Sequence, residues 1–595
     1  MCALAAPADA AFFPGDPIDG ASSDVRALGD VDLARDGTGA LAWVQAVGGV
    51  DRVFVARFEG GVFQPVDVVD AGLPGAGSQP VVGASYSGRL AIVFVNGGTV
   101  YGLVRPAGQP YAAPVPLGPG SHPSVDMSIN GTAFASYTSA GDVRIARLDR
   151  RSNTWIGLPQ PADVDPARPA GVGSGRSKVA ISADGVGVVT WGEAGHVFAR
   201  KMFNTGISDA PQDLTPPDFG GRVPTISDLP DVDVEDDSSY AWIVFRQAFA
   251  DGGSRVLARR QRGTSFDPAV AVDAGAEPVL DPRIDLSGRG QGLATSIGAT
   301  SGQPSTAFID KHDMFGLGAA ILGPSARPGV AVPAIGENNF AVVAAILAGA
   351  GTPAAVSVRS FNDGKPEPDA VLSRSELGPV DADAGLDSAS DRAGGVVVAW
   401  VQGLARERRV VAGYFDRPPS SFLGYTGQRC CRGVTPTLTW QESFNIWGPT
   451  RYELVVDRVV VGQTTSTAFK PPVPLAAGTH RWFVRATDIR GQVARSRTRL
   501  LRIDGRKPLL SVRYRRKQRV VTLVVRARDD AKRGRFAAGL AGVKVSWGDG
   551  SAPARARFDL RATHRYRRGK FTLTITARDK VGNESVDKRA LRIGV

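Results

Sequence analysis

The residues that could carry chemistry are few and scattered. Five histidines (His122, His196, His312, His480 and His564) share no common spacing. No G-x-S-x-G elbow, H-E-x-x-H pair, phosphate loop or dinucleotide fingerprint is present, so no nucleophile, catalytic zinc or nucleotide site is indicated. Carboxylates are more promising. Two acidic runs, Asp228–Asp237 and Asp381–Asp391, offer hard oxygen ligands of the kind calcium prefers. Asp381, Asp383 and Asp387 are the best calcium candidates. Neither run has the D-x-[DN]-x-[DN]-G spacing of a calcium loop, so a solvated acidic turn is the favoured reading, and no cofactor is expected. Catalytic carboxylate pairs cannot be assigned while so many repeats offer an aspartate. The three cysteines are Cys2, Cys430 and Cys431. They exclude a disulfide framework, and the vicinal pair is read as two linker thiols, an adjacent-residue disulfide or a redox switch.

Cations are concentrated at one end. Residues 426–595 hold 37 Lys and Arg against 12 Asp and Glu, a net +25, whereas the first 425 hold 33 against 46, a net −13. The densest clusters are Arg513, Arg515, Arg516, Lys517 and Arg519, and then Arg565, Arg567, Arg568 and Lys570. Both are expected at exposed strand turns. They point to a polyanionic partner, such as an acidic polysaccharide or cell-wall polymer, with extracellular DNA held only through phosphate contacts and no specific nucleic acid implied. The plainer reading is an arginine-rich solvated face.

The elements that must position these groups are repeated. A short apolar strand, an Asp/Asn/Gly turn and a second apolar strand recur as VDLARDGTGALAWVQ (31–45), VVGASYSGRLAIVFV (81–95), VDMSINGTAFASYTS (125–139), VAISADGVGVVTWGE (179–193) and VDVEDDSSYAWIVFR (232–246). The pattern continues as IDLSGRGQGLATS (284–296), VAVPAIGENNFAVVAA (330–345) and LDSASDRAGGVVVAWVQ (386–402). The turns at Asp36, Ser87, Asn130, Asp184, Asp236, Gly288, Asn338 and Asp391 are 51, 43, 54, 52, 52, 50 and 53 residues apart. A third strand and usually a fourth follow each pair. A single four-stranded sheet cannot bury both faces, and stacking such sheets around an axis can. The pattern resembles a β-propeller, with eight blades over 24–422, or seven as the alternative, since the second and sixth copies are the most degenerate. The segment FFPGDP is expected to lend a strand to the last blade. Trp43, Trp191, Trp242 and Trp400 recur at one repeat position and are expected in the inter-blade core. The turn from Asp184 to Trp191 resembles the Asp-box of sialidase-type propellers incompletely and is read as turn chemistry.

Beyond a linker at 423–433 the pattern changes. Residues 434–504 carry Gly478, Trp482, Val484, Ala486, Asp488 and Gly491 in an order that resembles a fibronectin type III or Ig-like domain. Residues 508–595 resemble a PKD-type domain through VSWGDGS (545–551), His564, Tyr566 and GKFTLTITARDKVGN (569–583). Asp549 is expected to fix its turn, with His564 and Tyr566 also structural.

The fold class is therefore all-β: a propeller followed by two Ig-like sandwiches. Residues 1–23 resemble a truncated secretory signal with Ala8, Ala10 and Ala11 near a cleavage-like site, and the tail modules resemble those of extracellular proteins. An extracellular or cell-surface location with no transmembrane segment is expected. The leading functional expectation is a non-catalytic binding or adhesion protein with a protein or glycan ligand on the propeller face. The rival is a secreted glycosidase- or lyase-type enzyme using the axial face, which would require Asp/Glu with Arg or His converging there from different blades.

Overall fold

The computed structural model describes residues 11–22, 24–208, 210–309, 315–317, 330–337, 339–348, 351–425, 435–529 and 536–594. Asn338, His312, Cys2, Cys430, Cys431, Ala8 and Ala10 lie outside them. The chain is all-β, 57% strand and 3% helix. It divides into two compact units, Asp9–Arg417 with Ile446–Gly448, and Met1–Ala8 with Pro418–Asn445 and Pro449–Val595.

The larger unit is propeller-like. Among the described residues it contains eight antiparallel sheets of four or five strands. Their inner strands are Val25–Leu33, Gly77–Ser85, Ser121–Met127, Lys178–Ile181, Pro224–Val234, Val279–Leu286, Ala331–Ile335 and Leu386–Ser390. Each inner strand packs beside the next, and the last returns to the first, so the sheets close a ring. The N-terminal strand Ala11–Pro17 pairs with Arg409–Asp416 and becomes the outer strand of the last sheet, as the FFPGDP segment led us to expect. Closure therefore joins the two ends of the unit within one sheet. Gly15 is needed there because a Cβ would lie 2.4 Å from the Trp400 ring.

The turns after the inner strands follow from local chemistry. Asp36 Oδ1 accepts the Thr38 N–H at 3.1 Å, while its Oδ2 accepts the Ser87 N–H of the next sheet at 2.8 Å. Asp184 likewise accepts from Val186 N–H and from the Ser239 hydroxyl of the following sheet, which is turn chemistry as expected. Trp43, Trp191 and Trp400 are fully buried and Trp242 nearly so. Each sits in a cluster drawn from two neighbouring sheets. Three of these indoles also donate to a side chain two residues on: Trp43 to Gln45, Trp191 to Glu193 and Trp400 to Gln402. A buried indole N–H without such an acceptor would be costly. Trp447 belongs to the same unit, buried edge-on against Phe58 at 5.3 Å.

The smaller unit contains two sandwich-like segments. In the first, Gly478–Thr487 is the central strand, with Arg451–Val456, Val493–Arg495 and Arg499–Ile503 beside it. Trp440, Tyr452, Trp482, Val484 and Ala486 form its core. Asp488 shapes the following turn by accepting from Arg490 and Gln492 N–H. In the second, a three-stranded sheet (Leu509–Lys517, Val520–Arg528, Leu560–Arg565) and a four-stranded sheet (Ala554–Ala556, Leu540–Ser546, Gly569–Asp579, Glu584–Ile593) enclose one core. Asp549 accepts from Ser551 N–H and pairs with His564 Nε2 at 2.7 Å. His564 stacks on Trp547, and Tyr566 donates to the Trp547 carbonyl at 3.0 Å. These three residues hold the turn together, as expected of structural groups.

Candidate functional site: the axial channel

The inner strands set the site. Among the described residues, four of these strands carry a residue with left-handed φ before a proline: Gln79 (52°), His122 (55°), Leu229 (51°) and Asp281 (45°). L-residues rarely adopt this conformation. Strand register shifts at each of these points, and again between Leu28 and Asp30 in the first sheet. The bulge resets the alternation, so the polar residues that follow share one face.

Seven aspartates on that face perform the same task. Asp30 accepts the N–H of Val82 at 2.9 Å, and Asp32 that of Ala84 at 2.6 Å. Asp126 accepts from Ile181 at 2.7 Å, Asp231 from Ile284 at 3.0 Å and Asp233 from Leu286 at 2.6 Å. Asp285 accepts from Ile335 at 2.6 Å, and Asp387 from Val31 at 2.9 Å, across the ring closure. Every acceptor lies on one sheet and its donor on the next, so each carboxyl staples two sheets.

Asp32, Asp126, Asp233 and Asp285 line a cavity of about 180 Å³ together with Asp236, Asp391, Glu337, Arg35 and Arg392. Its floor is an ionic cluster. Arg35 reaches Asp237 at 3.1 Å and Asp236 at 3.6 Å and also pairs with Glu337, which in turn meets Arg289 at 3.2 Å. One arginine thereby joins turns from sheets on different sides of the ring. The space would hold about six waters, well below the roughly 300 Å³ at which ligand pockets begin.

Burial and crowding of like charges raise these carboxyls. Burial, and then the Asp126 charge, push Asp32 up to about 8. Burial alone moves Asp126 to about 6, and it dominates the rise of Asp285, Asp236 and Asp391 to about 7. Asp30 is raised well above the carboxylate range by burial, by the charge of Asp387 and by a hydrogen bond to it. Asp233 is raised in the same way by burial and by the charge of Asp285. Asp30, beside Asp387, and Asp233, beside Asp285, are therefore the groups that burial and like charge favour in the protonated form. Near them Arg283 is lowered by burial but raised further by the charges of Asp281 and Asp231, with a net upward shift.

The calcium candidates do not assemble. Asp387 is a channel staple. Asp381 caps its own turn, accepting from Asp383 and Ala384 N–H, and pairs with Arg408 at 2.8 Å. Closeness in sequence did not become convergence because the strand beginning at Leu386 carries Asp387 away from the turn. Among the described residues, three carboxylates whose ligand oxygens all lie within 4.8 Å are instead Asp504, Asp529 and Asp579, far apart in sequence. They could offer a cation three oxygens, although all three already accept main-chain N–H groups. The basic clusters also differ from expectation. Arg513, Arg515, Arg516 and Lys517 lie within a strand, as does Arg565, and only Arg519, Arg567 and Arg568 fall between strands, with Lys570 just inside the next one.

A second set of staples escaped the sequence reading. Asp70, Asp163, Thr215, Asp273 and Ser373 accept the N–H of Val53, Val143, Val197, Val256 and Val356, which lie 17–20 residues earlier on third strands. An apolar residue followed by Asp, Ser or Thr at that offset is the signal that could have revealed them.

No family model matches the chain, and no curated protein matches it in sequence. Among solved structures, it is similar to a polysaccharide lyase described as an ulvan lyase (12% identity, 62% of this chain and 96% of that one, TM-score 0.35). A Hadza microbial sialidase is also similar (10% identity, 56% and 74%, TM-score 0.31), as is TolB from Acinetobacter baumannii (11% identity, 57% and 83%, TM-score 0.27). These neighbours are β-rich, propeller-like proteins, carbohydrate-active and non-enzymatic alike.

Proposed function

We propose that this chain is a non-catalytic extracellular or cell-surface binding protein. In this reading the ring is an eight-bladed propeller that serves as a rigid recognition platform. The tail is a fibronectin type III-like and a PKD-like sandwich that space it from, or hold it to, an anionic envelope. The observation that carries the reading is the engagement of the channel carboxylates. Convergence of acids from different sheets is what an enzyme would need, yet all seven staple aspartates are bonded to main-chain N–H groups of the adjoining sheet, and the cavity's Asp236 and Glu337 are paired with Arg35. The cavity is small and acid-lined, which disfavours uronate, sulfate or sialate groups. The +25 charge of the tail supports an anionic partner there.

One observation favours a second reading, a carbohydrate-active enzyme. Carboxyls and arginine from different sheets (Asp32, Asp126, Asp233, Asp285, Glu337 and Arg35) converge on one cavity, as acid–base cleavage of glycosidic bonds would require. The full chain should be screened against neutral and anionic polysaccharides for retention and for release of reducing or unsaturated ends. Retention on polyanions that weakens with salt, without product release, is the expected result. Product release that disappears in Asp233→Asn or Asp285→Asn would establish the enzymatic reading instead.

A further inference from the structure

The outward face of the three-stranded sheet in the last sandwich is built as two rails of cations. Val521, Leu523, Val525 and Ala527 point into the core, so Val520, Thr522, Val524, Arg526 and Arg528 face out. Register then places the neighbours. Arg513 lies opposite Val524, Arg515 opposite Thr522 and Lys517 opposite Val520 on one side, and Arg561 opposite Val524 and Arg565 opposite Val520 on the other. Arg526 and Arg528 extend the same face beside Ser511 and Leu509. All seven cations are exposed. Among the described residues, the ion pairs on strand arginines of this sandwich, Arg578–Glu584 and Arg589–Asp587, are on the other sheet. Alternate residues of a strand are about 6.6–6.8 Å apart and adjacent strands about 4.8 Å, so the Arg513 rail repeats near 7 Å. The opposite rail, where Thr563 stands between Arg561 and Arg565, repeats at about 13 Å, and the two flank a neutral strip almost 10 Å from rail to rail.

We propose that this face binds an extended polyphosphodiester whose phosphates are joined by small polyols, lying along the strands with one phosphate per row of cations. The proposal rests on reading the tail as polyanion-binding and names the polymer and the face. A repeat near 7 Å suits a linear chain with one charge per short linker. Arginine, six of the seven cations, matches phosphate oxygens with paired N–H donors. The floor between the rails is Val520, Thr522 and Val524, which can receive short alkyl linkers. None of these floor and rail positions is aromatic, so the stacking platform that single-stranded nucleic acid needs is missing.

The test is binding of the full chain to poly(glycerol phosphate) of increasing length, with glycerol phosphate monomer, single-stranded oligonucleotide and a polyuronate as competing probes, over a salt series. Affinity should rise with length until about five phosphates span the face. The triple variant Arg513→Gln, Arg515→Gln, Lys517→Gln should lose at least tenfold, and its salt slope should fall by roughly two, at about 0.7 per lost contact. Lys544→Gln, Lys588→Gln, Arg592→Gln, which removes the same charge from the other sheet, should bind within twofold of the parent. Equal losses in the two variants would overturn the assignment of the face while leaving polyanion binding by the tail intact. Tighter binding of the oligonucleotide or polyuronate would overturn the choice of polymer. Absence of binding to every probe would overturn the tail reading and this proposal together.

Discussion

Replacing Asp32 by asparagine separates the two duties of a channel carboxyl. Asparagine keeps an oxygen for the Ala84 N–H, 2.6 Å from Asp32 Oδ2, but has no proton to lose. Burial and the neighbouring Asp126 raise Asp32 from 3.8 to about 8. Between those values the folded chain holds a proton that the unfolded chain has released, so the contribution of this group to stability falls as pH rises through the window and levels off above about 8. In a dry interior the full shift would correspond to roughly 5–6 kcal/mol at 1.36 kcal/mol per pH unit. Asp32 is only half-buried, facing channel water, and about 2 kcal/mol is the expected cost at pH 9. Asp32→Asn should therefore be about 2 kcal/mol more stable than the parent at pH 9 and nearly equal to it at pH 4. Asp32→Ala should be destabilised by about 1–2 kcal/mol at pH 4, because the Ala84 N–H is left unpaired. Calorimetry of the full chain gives the transition temperatures, and hydrogen exchange of the peptide containing Ala84 gives the local contact. An asparagine variant no more stable than the parent at pH 9 would refute the electrostatic account. One as damaged as the alanine variant at both pH values would refute the staple.

Four further outcomes are expected. Deleting Ala11–Pro17 leaves the last sheet without its outer strand and exposes the strand Arg409–Asp416, so the chain should aggregate or become protease-sensitive at that edge; a monomeric, protease-resistant product would count against closure by this strand. Trp400→Ala should cost about 3–5 kcal/mol in thermal unfolding, since a fully buried indole and its bond to Gln402 are both lost. Asp549 is held at about 2, burial being outweighed by its bonds to His564 and Ser551; its contribution is present above 3.8 and is lost as pH falls towards 2, so near-ultraviolet dichroism of the Trp547 site should fade over that window in the parent and not in Asp549→Asn. Unfolding at pH 7 in weak buffer should release about four to five protons per chain, and release of less than one would contradict the raised channel carboxyls.

The repeat was legible because its turn chemistry and alternation are local. A V-D-[LMV] inner strand at 31–33, 125–127 and 232–234, and I-D-L at 284–286, announces a strand whose aspartate faces away from the apolar neighbours. Its purpose was not legible, because the partner is an amide 52, 55, 53 or 50 residues away for Asp32, Asp126, Asp233 and Asp285. Those separations equal the repeat itself, so an aspartate bonded one repeat onward is the inference the period would have allowed. Proximity misled for Asp381, Asp383 and Asp387, and it concealed Asp504, Asp529 and Asp579, which only the folded sandwich brings together. The basic clusters were visible as composition. Their division into outward rails needed strand register, which a run such as RYRRKQR cannot display by itself.

The channel also alters the meaning of the charge split. The formal −13 of the first 425 residues treats every carboxyl as ionised, including those that line the channel. Asp32, held at about 8, is largely neutral at pH 7, and Asp236, Asp285 and Asp391, at about 7, are near half-ionised. Asp30 and Asp233, raised well above the carboxylate range, hold their protons. The ring is thus several charges less negative than its composition states, and these missing charges are interior ones. The exposed arginines of the tail keep theirs at any physiological pH, because guanidinium does not titrate there. The folded chain therefore presents more positive charge than the formal +12, and the excess grows on mild acidification as the channel carboxyls near 7 take up protons. An anionic surface would attract the folded protein more strongly than its sequence charge implies, and by a margin that unfolding abolishes.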